Sequence, residues 1–82
     1  MKTIYFYEMS NINDTPYVIT NPDSFYDMCK NWGIKMTKTN KMFIESHSDV
    51  YAICKPGKSE LVLSGDYKNL RKNFNKAKNR KQ

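Results

Sequence analysis

Along the first residues apolar side chains fall on both faces of an alternating pattern: Ile4 and Phe6 on one, Tyr5 and Tyr7 on the other. Period-two spacing of aromatic and β-branched residues predicts a strand over 2–9. The Asn- and Asp-rich segment 11–15 predicts a turn, and 17–20 a second strand completing a hairpin. The period then changes. Phe25, Met28, Cys29 and Trp32 stand at i, i+3, i+4 and i+7, one face of a helix over about 22–32. Asn21-Pro22-Asp23 supplies a capping side chain, a first-turn proline and a carboxylate at the positive helix end. Gly33 suits a left-handed stop.

Beyond Gly33 the pattern predicts four short strands. Ile34 and Met36 alternate with Lys35 and Thr37, and Met42 and Ile44 share one face over 42–46. A strand over 50–54 leads into Lys55-Pro56-Gly57-Lys58, which has the Pro-Gly pair of a type II turn, and then into a strand over 60–63. Ser64-Gly65-Asp66 offers caps for a closing helix over about 66–79 with the apolar stripe Tyr67, Leu70, Phe74 and Ala77. Residues 80–82 predict a frayed tail. The expected order is β-β-α-β-β-β-β-α. Hairpin-length connections imply an antiparallel sheet, and two amphipathic helices are expected on one face of it. The class is α+β, in a single small domain spanning 1–82.

Composition narrows the setting. The chain has 82 residues, 39% of them apolar, enough for one core. No apolar run approaches the roughly 18 residues that span a bilayer, and 1–9 lacks the apolar block and cleavage site of a signal peptide. The expectation is a cytoplasmic protein with no membrane partner. Charge changes the picture further. Residues 1–65 hold seven lysines and seven acids; residues 66–82 hold five lysines, two arginines and one acid, so the whole net charge of +6 lies in the final segment. Such asymmetry points to a polyanionic partner, against the alternative of a solvated tail.

The candidate nucleic-acid-binding residues follow. Lys68, Arg71, Lys72, Lys76 and Lys78 lie opposite the apolar stripe of the closing helix, with no interleaved glutamate. Such cations neutralise phosphates and release counterions. Lys30, Lys35, Lys38 and Lys41 form a second basic cluster, of which Lys35, Lys38 and Lys41 are taken as candidates, and Lys55 and Lys58 flank the Pro-Gly turn. Tyr5 and Tyr7, on one strand face, are candidates for stacking bases, against the alternative of packing. His47 is the one imidazole and the one candidate catalytic group; Glu45, His47 and Asp49 share a face if the strand runs on. Cys29 and Cys54, with a single histidine, do not make a zinc set and read as buried thiols. No metal and no cofactor is expected.

From Phe25 onward the chain resembles the small HicA-type toxin domain, which has a double-stranded-RNA-binding-like helix–three strands–helix fold. The matching features are Asn31-Trp32-Gly33 at the helix end, the Ser46-His47 pair, the Pro56-Gly57 turn and the basic closing helix with Leu70. The resemblance implies RNA as ligand, and its Ser-His pair implies RNA cleavage by His47. The chain departs from the family in its N-terminal hairpin over 1–20 and in Glu45, where a glycine is usual. In size and in its Asn-, Lys-, Ile- and Tyr-rich style it also resembles accessory proteins of AT-rich phages. The expectation is a basic, non-catalytic RNA-binding accessory protein that covers RNA or an RNA-bound host protein. The alternatives are a phage-type inhibitor or antitoxin acting by protein contact, and a HicA-like ribonuclease.

Overall fold

The computed structural model of the chain describes residues 2–55 and 57–78. Strands β1 (Thr3–Tyr7), β2 (Tyr17–Ile19), β3 (Asp49–Cys54) and β4 (Leu61–Ser64) form one sheet in the order β2-β1-β3-β4. Helices α1 (Pro22–Asn31), α2 (Lys38–Ser46) and α3 (Tyr67–Lys78) pack on it. The α+β class is as expected. The opening strand is shorter than its alternation predicts, because Glu8–Ser10 turn into a short 3-10 segment.

The sheet is mixed, which corrects the antiparallel expectation. β1–β2 and β3–β4 are antiparallel, but β1 and β3 run parallel, with Ile4 opposite Val50 and Phe6 opposite Ala52. A parallel pair needs a long crossover to carry the chain back to its starting end, and α1 and α2 lie within that crossover.

The expected strand over 42–46 is also corrected: the segment belongs to α2. Thr37 caps this helix by accepting the Asn40 N–H through Oγ1 at 3.1 Å. Burial then follows a helical period, with Asn40, Phe43, Ile44 and His47 turned inward and Met42 61% exposed. Lysine, methionine and glutamate favour helix intrinsically. With α2 starting at Lys38, the expected strand over 34–38 shrinks to one parallel bridge between Lys35 and Glu60. From Pro22 the described order is therefore helix, helix, strand, strand, helix, against the helix–three strands–helix order that the HicA-type resemblance implies.

The helices lie on both faces of the sheet, which corrects the expectation of two helices on one. Ile4, Phe6, Val50 and Ala52 meet Phe25 and Cys29 of α1 and Ile44 of α2. Tyr7 and Ile53 meet Leu70 and Phe74 of α3. Because β1 and β3 are apolar on both faces, one layer of helices would leave half of each strand's apolar side chains in water.

The local signals of α1 are observed. Asn21 Oδ1 accepts the Asp23 N–H at 3.0 Å, Pro22 opens the helix, and Gly33 adopts φ 73° behind it. At the β3–β4 turn Gly57 has φ 70° and Lys58 N–H donates to the Lys55 carbonyl at 3.0 Å. Pro56 of the expected Pro-Gly pair lies outside the described residues. So do residue 79 and the expected tail at 80–82. No helix among the described residues is long and apolar enough to cross a membrane.

Candidate nucleic-acid interface

Helix α3 begins behind Asp66, whose carboxylate accepts the Asn69 N–H at 2.8 Å. The fully buried Leu70 and the nearly buried Phe74 clamp it to the sheet. That clamp fixes the rotation of the helix, and with it the direction of its charges. Lys68, Lys72 and Lys76, all exposed, recur at i, i+4 and i+8, a single row with about 6 Å of rise between members. Arg71 is also exposed; at 100° per residue it lies about 60° around the axis from Lys68 and about 140° from Lys76, at the margin of the row. The side chain of Lys78 lies outside the described residues.

The row leads toward a groove of about 510 Å³ between α3 and β4, lined by Lys55, Leu61, Val62, Asn73, Lys76 and Ala77. Lys55 and Leu61 also line a second groove of about 280 Å³, on the side of α2, with Lys35, Thr37 and Glu60. Lys55 thus connects Lys76 with Lys35, residues 41 positions apart.

Glu60 is the acid within this cluster. Its carboxylate takes a hydrogen bond and ion pair from Lys55 Nζ at 3.2 Å. That bond and the Lys55 charge, followed by the charges of Lys58 and Lys35, hold the Glu60 carboxyl below its ordinary range. The fold therefore brings Lys35, Lys55 and Lys58 around one carboxylate. The sequence signal for Glu60 is its position opposite Lys55 across the turn, where opposite charges pair.

Other expected residues lie elsewhere. Lys41 Nζ is 5.2 Å from the Tyr26 ring centroid, drawn toward α1. Lys38 is exposed in the first turn of α2. Tyr7 is only 5% exposed and tilts against Tyr67 of α3 at 5.7 Å, so no open ring face remains for a base. Tyr5 stacks on Tyr51 at 4.5 Å and 18°. Burial first, then the neighbouring Tyr5, Asp49 and Asp66, hold the Tyr51 phenol above its ordinary value. Two carboxylates beside this ring pair make it a poor seat for a phosphodiester chain.

His47 ends α2. Its ring stacks on Phe43 at 3.9 Å, and Nδ1 lies 2.9 Å from the Phe43 carbonyl and 3.1 Å from Ser46 Oγ. Lys2 donates to the His47 carbonyl. His47 precedes β3 and Lys55 follows it, so the strand separates the imidazole from the Lys55 cluster by about 20 Å. Glu45 is on α2 and Asp49 opens β3, so the shared strand face of Glu45, His47 and Asp49 does not form. Cys29 and Cys54 are free thiols. Among the described residues no group of three or more His, Cys, Asp or Glu side chains could hold a metal ion. The chain matches no protein-family model, no curated protein and no solved structure.

Proposed function

We propose that this chain is a small non-catalytic accessory protein that binds RNA through its phosphate backbone. The contact surface is the row Lys68, Lys72 and Lys76 continued by Lys55 and Lys35. One observation carries the reading: Lys76 and Lys55 line the same groove, so cations from the end and the middle of the chain form one continuous surface. Lysines so placed release counterions on binding phosphates. Filter binding of RNA between low and moderate salt tests it. The expected result is tight binding at low salt that weakens steeply as salt rises. Absence of RNA and DNA binding at low salt would overturn the proposal. A host protein that stays bound to the chain after nuclease digestion, with no RNA affinity in the pure protein, would replace it with the protein-inhibitor reading.

The ribonuclease reading has one observation in its favour. Contact of Nδ1 with the Phe43 carbonyl orients the His47 ring and leaves Nε2 without a hydrogen-bond partner among the described residues, the arrangement of a positioned acid–base imidazole. It requires RNA cleavage that disappears in His47→Ala while binding persists. RNA left intact by concentrated protein would dismiss it.

A further inference from the structure

A third depression, of about 490 Å³, lies between the Glu8–Ser10 turn, the end of α1 and the β3–β4 turn. Phe6, Trp32, Ile34 and Cys54 line its apolar part; Glu8, Ser10, Lys58 and Ser59 supply polar groups. Its volume falls in the range of small-molecule sites. Trp32 is 47% exposed. Phe6 and Tyr17 meet its ring at 63° and 66°, so neither lies flat on it. Ser10 is held at φ 55°, a left-handed conformation unusual for serine, with its hydroxyl donating to the Cys54 carbonyl at 2.8 Å. Strained backbone of this kind gathers at ligand sites. Glu8 also lies beside Tyr17, whose phenol it holds above its ordinary value through hydrogen bonding and charge.

With one cation and one anion, this pocket is not itself a phosphate site. An exposed indole suits the flat face of a base, because stacking on aromatic side chains is how single strands are gripped. A carboxylate accepts from the amino group of cytosine; uracil has no amino group to offer. Lys58 then faces the phosphate of the stacked nucleotide. The pocket also adjoins the basic surface: Lys58, which lines it, donates its N–H to the Lys55 carbonyl at 3.0 Å, and Cys54, next to Lys55, lines it too.

Resting on the proposed RNA-binding function, we infer that this pocket takes one unpaired, amino-bearing nucleobase of a single strand. Trp32 stacks the base, Glu8 accepts from its amino group and Lys58 meets its phosphate. The pocket thus adds a preference for single strands to a basic surface that also takes a duplex.

Trp32 is the sole tryptophan, so its emission reports this pocket alone. The wild-type protein is titrated with a short oligocytidylate, an oligouridylate of equal length, an RNA duplex and cytidine monophosphate. Emission and anisotropy are followed at one salt concentration. Oligocytidylate is expected to quench Trp32 in proportion to binding and to bind more tightly than oligouridylate. The duplex is expected to bind without quenching. Trp32→Ala should weaken single-strand binding about 5- to 100-fold and leave duplex binding unchanged, with Trp32→Phe retaining most of the affinity. The wild-type quenching decides the matter even where the alanine variant fails to fold. Single-strand binding that leaves Trp32 emission unchanged overturns the inference while the basic surface stands. Cytidine monophosphate binding as tightly as the oligomer overturns the strand assignment, and equal affinity for oligouridylate removes Glu8 from the site. Failure of every nucleic acid to bind overturns the proposed function itself.

Discussion

Replacing Lys72 and Lys76 together by glutamine is expected to halve the salt dependence of RNA binding. Among the described residues Lys55 is ion-paired, to Glu60, which leaves Lys35, Lys68, Lys72 and Lys76 as four cations of the proposed surface. On an RNA duplex, which does not enter the Trp32 pocket beside Lys58, about −0.9 per contact gives a log–log slope of about −3.6. Raising salt from about 50 to 200 mM then lowers affinity about 150-fold. With two contacts removed the slope becomes about −1.8, and the same salt step costs about 12-fold. Both positions are exposed on α3, and glutamine matches lysine closely in helix propensity, so the fold stays intact. Filter binding at five or so salt concentrations supplies the slopes. Arg71→Gln serves as the comparison and should lower the slope by less than the double variant, because Arg71 lies at the margin of the row, about 140° around the helix from Lys76. A double variant with the wild-type slope, or an Arg71→Gln slope lowered as much as the double variant's, would refute the assignment of the row.

Three further outcomes test the packing. Phe74→Ala removes a 2%-exposed ring from the α3 side of the sheet and should cost about 3–5 kcal/mol. That is comparable to the whole stability of so small a core, about 3–5 kcal/mol, so an unchanged thermal midpoint by circular dichroism would contradict the clamp. Ser10→Ala should lower the urea midpoint more than Ser10→Gly, by about 1 kcal/mol: both lose the bond to the Cys54 carbonyl, but only alanine leaves a β-carbon at φ 55°. The reverse order would show that the left-handed geometry carries no strain. Burial first, then proximity to Cys54, pushes the Cys29 thiol from 9.0 up to about 12. The folded state favours the neutral thiol, so this stabilisation is complete below pH 9 and is lost as pH rises toward 12. Burial likewise raises the Tyr7 and Tyr51 phenols, with the same sign. The urea midpoint should therefore fall above pH 9; a midpoint that stays level through this range would count against the buried placement.

Much of the fold was legible where a local signal and the tertiary demand agree. Around α1, the Asn21 cap, Pro22, the Phe25/Cys29 face and the Gly33 stop are all encoded within a dozen residues, and each operates as its chemistry suggests. The stretch 34–46 is ambiguous in sequence because Met42, Phe43 and Ile44 are three successive apolar residues, compatible with either period. Only the Thr37 cap and the inward turn of Asn40 and His47 decide for helix, and neither is an apolar signal. The parallel β1–β3 pair has no local signature, since it depends on where a crossover ends. The candidate site was half legible. The closing helix announced its lysines by charge alone. The meeting of Lys35, Lys55 and Lys76 depends on β4 lying at the sheet edge between α2 and α3, and Tyr7 lost its expected role because α3 covers its face of the sheet.

The pairing of Thr3 with Asp49 has a consequence for how the protein is born. At about 5–20 residues per second, β1 leaves the ribosome on the order of 2–9 s before the strand that completes its second edge. In that interval the short β2 guards one side, and the other is an unsatisfied template presenting Ile4, Phe6 and Tyr7. Closing so long a loop before any reward arrives slows folding, so the nascent chain is exposed to mispairing and to chaperone capture for seconds.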